Sequence, residues 1–317
     1  MLSILEADMA EVDKVIRARL HSDVALVRQV SEYIIHSGGK RLRPALVVLA
    51  ANALGYKGVQ HHEMAAVVEF IHTATLLHDD VVDASDLRRG RDTANALFGN
   101  ATSVLVGDFL YSRAFQMMVA VKNMHVMEVL SDATNIIAEG EVLQLMNCND
   151  PNIDEAAYLR VIRYKTAQLF EAAGRLGAIV HDAPRDIENA LGRYGMHLGT
   201  AFQIIDDVLD YSGETDLIGK NVGDDLAEGK PTLPLIFAMK HGTTNEAEII
   251  RNAIQNGDAS NFQLILSIVK KTGALDHARS QAEAESALAQ SAIAALPGSQ
   301  YKEALLQLSA FAVTRNF

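Results

Sequence analysis

Cys148 is the only cysteine in the chain, so neither an internal disulfide nor a zinc cluster of thiolates can form. At 317 residues the chain can bury a core that needs no such staple, and a reducing compartment is the simplest setting. Cys148 itself reads as a small packed side chain. Positive charge is also scarce: the formal net charge of -12 excludes a broad nucleic-acid surface, so any basic site must be local. Long apolar runs are missing as well. The strongest, "ALVVLAANAL" from Ala45, is too short to span a bilayer and is interrupted by Asn52. The opening "MLSILEADMAEVDKVIRARL" sets acids inside an apolar pattern of helical spacing, unlike a signal peptide. These absences lead us to expect a cytosolic protein with no transmembrane segment.

Proline is rare too, with six in the chain and none over 45–150 or 185–230, while Ala, Leu, Met, Glu and Gln are abundant. Apolar residues recur every three or four positions over 61–83, 101–121, 126–147, 154–182, 185–211 and 274–295, and no series of alternating strands is present. Loops are expected at "SGGKRLRP" (37–44), "GYKG" (55–58), "NDPN" (149–152), "HDAP" (181–184) and "GETDLIGKNVGDDLAEGKP" (213–231). Neither a repeat of fixed period nor a linker divides the chain, so one all-α domain over 1–317 is expected, with roughly a dozen helices. Segments apolar nearly all round, such as "FIHTATLL", belong at the centre of such a bundle.

Two acid trios share one spacing: Asp79, Asp80 and Asp83 in "HDDVVD", and Asp206, Asp207 and Asp210 in "IIDDVLD". On a helix, Asp79 and Asp83 project from one face, with Asp80 about a quarter-turn aside. One such trio reads equally well as a solvated helix end. Two are harder to dismiss, because like charges at this spacing oppose the helix, and acids near a helix C-terminus oppose its dipole. A divalent cation relieves both, and the all-oxygen donor set favours a hard ion such as Mg²⁺. A di-iron bundle needs two E-x-x-H pairs, and only Glu69 with His72 supplies one.

Basic and polar residues accompany the acids: Lys40, Arg41 and Arg43; Arg88, Arg89 and Arg91; Lys165 with Thr166; Gln203; Lys220 and Lys230. Singly each reads as surface charge, and Arg41 and Arg91 stay in that class. Together, acids able to hold metal and cations able to hold anions without it imply two polyphosphate sites. No P-loop occurs, which argues against nucleotide hydrolysis. The remaining substrate class is a diphosphate ester with an apolar body able to enter a helix bundle, which describes an isoprenoid diphosphate.

The stretches "GGKRLRP", "HDDVVDASDLRRG", "KTAQLFEAA", "FQIIDDVLDYSG" and "GKNVGDDLAEGKPTLPLI" match, in order, the five signature regions of the trans-isoprenyl diphosphate synthase family. With "EFIHTATLLHDDVVD", "SVLVGDFLYSRAFQMM" and "AEGEVLQLMN" the chain resembles the bacterial octaprenyl branch of that family along essentially its whole length. The resemblance implies an isoprenoid-synthase-type helix bundle around a deep central cavity with the two aspartate motifs at its mouth, usually as a homodimer. It implies that Lys40, Arg43, His72 and Arg89 bind isopentenyl diphosphate. Arg88, Lys165, Thr166, Gln203, Lys220 and, with less force, Lys230 would bind the allylic diphosphate, farnesyl diphosphate being the expected starter. Asp79, Asp83 and Asp206 would coordinate Mg²⁺, while Asp80, Asp207 and Asp210 shape the same clusters. The acids and arginines of "HDDVVDASDLRRGR" would thus serve metal and substrates more than one another.

The implied reaction ionises the allylic C–O bond, adds isopentenyl diphosphate head to tail and repeats, giving a long polyprenyl chain for quinone side-chain biosynthesis. Chain length would be set beneath the first motif. Helical geometry points to Thr75, one turn before Asp79, and the resemblance points to Ala74; both are small, which leaves room for a long product. Met118, with Met117, reads either as the cavity floor or as plain core. A terpene cyclase or head-to-head synthase would leave "GGKRLRP" and the Arg88–Arg89 pair without a purpose. A non-catalytic partner subunit would be expected to have lost acids or Lys165.

Overall fold

The computed structural model describes residues 2–36, 38–88, 90–211 and 223–315. A short 3₁₀ turn at Leu2–Leu5 leads into α1 (Glu6–Arg19), α2 (Ala25–His36), α3 (Leu42–Ala53) and α4 (Gln60–Val82). A hairpin of two short strands, β1 (Leu87–Arg88) and β2 (Arg91–Asp92), precedes α5 (Ala94–Phe98), α6 (Asn100–Val121) and α7 (Met124–Asn147). Then come α8 (Glu155–Ile162), a π-helical turn (Arg163–Ala167), α9 (Gln168–Ile179) and α10 (Arg185–Leu209). The remainder is α11 (Asp224–Ala227), α12 (Leu233–His241), α13 (Thr244–Asn256), α14 (Phe262–Lys271), α15 (Ala274–Ala292) and α16 (Gln300–Thr314). With 78% of residues helical against one two-residue hairpin, the class is all-α, as expected.

The helix bounds follow the sequence signals closely, with two differences. The run expected over 154–182 is interrupted at 163–167, where the backbone widens into the π turn. Within the segment expected to be all loop at 213–231, Asp224–Ala227 forms one helical turn, and 213–222 lie outside the described residues. A few helix starts use side-chain caps: Asp154 accepts from the Ala157 N–H at 2.8 Å, and Thr243 with Glu246 forms a reciprocal capping box.

Residue contacts resolve the chain into two compact units, one of residues 1–134, 169–195 and 292–308, the other of 135–168, 196–291 and 309–317. In the first, α4 is the central helix, packed against α1, α3 and α6. Its Met64, Val67, Val68, Phe70, Ile71, Ala74 and Leu77 are fully buried. The "FIHTATLL" stretch therefore lies where its all-round apolarity placed it. One narrow stripe of α4 keeps partial exposure: Glu69, His72, Thr75, Leu76, Asp79 and Asp83. Among the described helices α6 is the one long and apolar enough to cross a membrane by length and composition, and it packs against α4 and α2.

In the second unit Tyr158, Ile162, Ala201, Ile204, Ile205 and Val208 share one apolar cluster, so the end of α10 is seated against α8. A second cluster joins Tyr211, Leu226, Leu235, Ile250, Ile254, Ile265 and Val269 around α12, α13 and α14.

In the first unit α9 and the start of α10 come into backbone contact. A Cβ at Gly195 would stand 2.1 Å from the Phe170 carbonyl oxygen and 2.6 Å from its carbon, so no side chain fits. This contact holds the segment carrying Phe170. Replacing Gly195 with Ala should destabilise the protein by about 1–3 kcal/mol through overpacking, read as a lower midpoint of urea unfolding.

Candidate active site

The first acid trio closes α4. Asp83 is the C-cap, Ala84 takes the left-handed conformation (φ 49°), and the Ser85 N–H donates to the Asp80 carbonyl at 3.0 Å while Ala84 donates to Val81 at 3.3 Å. This is a Schellman ending with alanine where glycine is usual, and it turns the chain sharply into the hairpin. The hairpin returns Arg88 to the helix it has just left. Asp80 is fully buried, and its Oδ1 accepts from Arg88 Nε at 2.8 Å and Nη2 at 2.6 Å. Burial raises the Asp80 carboxyl above its usual range, with the charges of Asp79 and Asp83 adding to the rise and Arg88 opposing it. Asp80 Oδ2 is buried with no hydrogen-bond partner. Asp79 and Asp83 stay half-buried.

Two turns up the same stripe, Arg43 Nη1 donates to His72 Nε2 at 3.1 Å. Arginine has no acceptor, so this nitrogen of His72 carries the lone pair. The Arg43 guanidinium lies 4.4 Å from the centre of the Phe170 ring, a cation–π contact that fixes its plane. A cleft beside them is lined by Tyr33, Gly38, His72, Asp80, Arg88 and Thr93. Lys40 is half-buried, between the cleft residue Gly38 and Arg43.

The second trio closes α10. Asp207 is buried and held from both sides: Tyr158 donates to Oδ2 at 2.6 Å and Gln203 Nε2 to Oδ1 at 2.8 Å. Thr166 in turn donates to Gln203 Oε1 at 3.0 Å, which orients the amide. Burial pushes the Asp207 carboxyl up to about 8, the Asp225 charge adds to this, and the hydrogen bonds from Tyr158 and Gln203 pull the other way. Asp206 is half-exposed and accepts from Arg315 Nη2 at 3.3 Å. Arg315 is stacked 3.9 Å over the Phe202 ring and donates to the Phe202 carbonyl at 2.8 Å. Asp210 is buried just beyond the helix end.

Lys165 lies in the π turn, its Nζ 2.5 Å from Glu141 on α7. The turn and α7 touch through backbone, since a Cβ on Gly140 would meet the Lys165 nitrogen at 2.7 Å. Lys230 is half-buried and ion-paired with Glu228.

The polyprenyl synthetase family model matches residues 24–271. The chain belongs to the polyprenyl synthetase family. It is 54% identical over 315 residues to octaprenyl diphosphate synthase of Haemophilus influenzae, covering 99% of this chain and 96% of that protein. To the octaprenyl diphosphate synthase of Escherichia coli it is 54% identical over 310 residues, covering 98% and 96%. The crystal structure of a polyprenyl synthase from Caulobacter crescentus, complexed with calcium and isoprenyl diphosphate, superposes with a TM-score of 0.96 at 46% identity, covering 100% of this chain and 97% of that one.

In this polyprenyl synthetase the structure brings Arg43 and His72 together, Asp80 with Arg88, and Thr166 with Gln203 and Asp207. Arg88, expected on a diphosphate more than on an acid, is hydrogen-bonded to Asp80, and Gln203 and Thr166 brace Asp207. Arg89 and Lys220 lie outside the described residues. Ala74, Met117 and Met118 are buried in the contact layer of α4 and α6, whereas Thr75 lies on the accessible stripe and donates to the His72 carbonyl at 2.8 Å. Tyr158, Arg315, Asp225 and Glu141 were missed from sequence. No local pattern marks Tyr158 or Arg315, because each acts on a motif tens of residues away or more, whereas Asp225 and Glu141 sit in the quoted stretches "GDDLAEGKP" and "AEGEVLQLMN" without a role being read for them.

Replacing Tyr158 with Phe keeps the volume but removes a donor from a buried carboxylate. The variant should unfold at lower urea, with a loss of about 1–3 kcal/mol and an unchanged denaturant slope.

Proposed function

We propose that this prenyltransferase is a long-chain trans-polyprenyl diphosphate synthase that extends farnesyl diphosphate with isopentenyl diphosphate, head to tail, to octaprenyl diphosphate for a quinone side chain. The observation that carries the reading is the division of labour within each acid trio. The middle acid is buried and fixed by the protein, Asp80 by Arg88 and Asp207 by Tyr158 and Gln203, while Asp79, Asp83 and Asp206 keep solvent access and Asp210 is buried as well. That arrangement suits holding a ligand-bound cation at the accessible acids without letting the helix ends fray.

The donor set is carboxylate oxygen, which fits a hard divalent ion, and we assign Mg²⁺ to Asp79, Asp83 and Asp206. When bound, the ion would neutralise the diphosphate leaving group as the allylic C–O bond breaks. Lys165, with Thr166, Gln203, Arg88, Lys220 and Lys230, would hold that diphosphate. Lys40, Arg43, His72 and Arg89 would hold isopentenyl diphosphate, whose double bond supplies the electron pair for the new C–C bond. The electron pair of the broken bond leaves on diphosphate, which accepts the proton that restores the alkene. Rate enhancement would come from electrostatic stabilisation and positioning, with no covalent intermediate on the protein.

Matching along the whole chain supports residues 1–317 acting as one catalytic domain. A homodimer is supported by the apolar face that α6 leaves uncovered, with Leu105 67% and Val119 63% exposed. We place the enzyme in the cytoplasm.

Two measurements test this reading. The purified chain with Mg²⁺, farnesyl diphosphate and labelled isopentenyl diphosphate should yield a C40 product by chromatography; no product would sink the reading in favour of a non-catalytic subunit. Thr75→Phe should move the product distribution to shorter chains with near wild-type stability. Ala74→Phe, at a fully buried site, should cost about 1–3 kcal/mol by overpacking whatever it does to the product.

A further inference from the structure

The acids of the first motif end α4; its first turn carries a second cluster, eighteen residues and so about 27 Å of helix away. His61 and His62 converge there on one carboxylate of α1. His62 Nε2 is 2.9 Å and His61 Nε2 3.5 Å from Asp8 Oδ1, and the two rings lie 3.9 Å apart. Among the described residues, this is where three such ligand atoms fall within 4.8 Å of one another.

His61 makes the cluster unusual. It is 3% exposed, and neither ring nitrogen has a hydrogen-bond partner. A buried imidazole ordinarily satisfies at least one nitrogen, so a ring nitrogen 3.5 Å from a carboxylate that already binds His62, and with no hydrogen bond of its own, calls for something between them. A zinc ion with bonds of about 2.0–2.1 Å in tetrahedral geometry sets its ligand atoms roughly 3.3 Å apart, and the two measured separations bracket that value.

The surroundings are those of a metal site as well. Asn52 donates to Asp8 Oδ2 at 2.9 Å, holding the carboxylate so that Oδ1 faces the rings. Tyr56 packs edge-on against the His61 ring. Burial keeps His61 below its usual range and therefore neutral, with its lone pair available. Burial alone would raise Asp8, but hydrogen bonds from His62 and Asn52, ahead of the other influences of the two imidazoles, carry it below its usual range, so it is ionised. The Asp8 side chain is 24% exposed, which leaves an entry path and room for a water as fourth ligand.

We propose that Asp8, His61 and His62 form a zinc site that clamps α1 to the first turn of α4. Two imidazoles and one carboxylate suit zinc, whereas Mg²⁺ prefers an all-oxygen shell, so the site is chemically separate from the acid trios of the same chain.

The test uses the full chain stripped of metal by chelation and returned to excess MgCl₂, which occupies the acid trios. Titration with ZnCl₂ should raise the melting temperature and saturate at one equivalent per chain. CoCl₂ should give the intense visible bands of a tetrahedral ion. Asp8→Asn and His62→Gln should each weaken zinc binding by more than about tenfold, and an Asp79→Asn/Asp206→Asn double variant should leave it unchanged. Absence of tetrahedral cobalt bands in the wild-type chain overturns the proposal, whatever the variants do. So does zinc binding that survives Asp8→Asn and His62→Gln, or that disappears with the acid-trio variant.

Discussion

A carboxylate at the carboxyl end of an apolar helix is in a poor position three times over. It loses hydration, it meets the negative end of the helix dipole, and in this protein it meets two more carboxylates of its own trio. Most of the local structure answers that problem. Arg88 is brought back by a two-stranded hairpin to neutralise Asp80, and Arg315 reaches from the chain's C-terminal region to Asp206. Asp207 is handled by neutral donors, Tyr158 and Gln203, and burial raises its carboxyl to about 8. The middle acid of each trio, Asp80 or Asp207, is thereby fixed in place by the protein, while Asp79, Asp83 and Asp206 stay accessible and Asp210 is buried. The fold meets the cost of holding these carboxylates near one another with its own side chains.

Anchoring of the basic residues follows the same logic by different means. Arg43 is set by an aromatic face beneath it and an imidazole beside it, a planar cradle that keeps its fork from wandering. Lys165 is set by a carboxylate and by the backbone of the turn it belongs to. In both cases a helix-to-helix contact is responsible: the contact at Gly195 holds the segment bearing Phe170, and the contact at Gly140 holds the segment bearing Lys165.

Much of this was legible in the sequence, because it depends on local pattern. The i, i+4 spacing of Asp79 and Asp83, the apolar run before them and the scarcity of proline were enough for helix bounds within a residue or two, as α4 and α6 show. Illegible features were of two kinds. Partners distant along the chain, such as Tyr158 for Asp207 or Arg315 for Asp206, leave no trace in a window of any useful width. Choices among equals also leave none: Arg88 lies near five acids in sequence, Asp79, Asp80, Asp83, Asp86 and Asp92, and only the hairpin geometry selects Asp80. The break at 163–167 belongs to a third class, since a π turn alters helical periodicity by a single residue and the apolar pattern passes through it almost unchanged.

That break has a geometric consequence. A π turn is an α-helical turn with one residue too many, absorbed as a bulge, so each residue after it sits about 100° from where its sequence number alone would place it. Without it, the helical backbone of α8 would run on unwidened through 163–167. Loss of a single residue from 163–167 would return the segment to ideal helical geometry with the side chains after it still in register, so what the surplus residue supplies is the widened backbone at Lys165 itself.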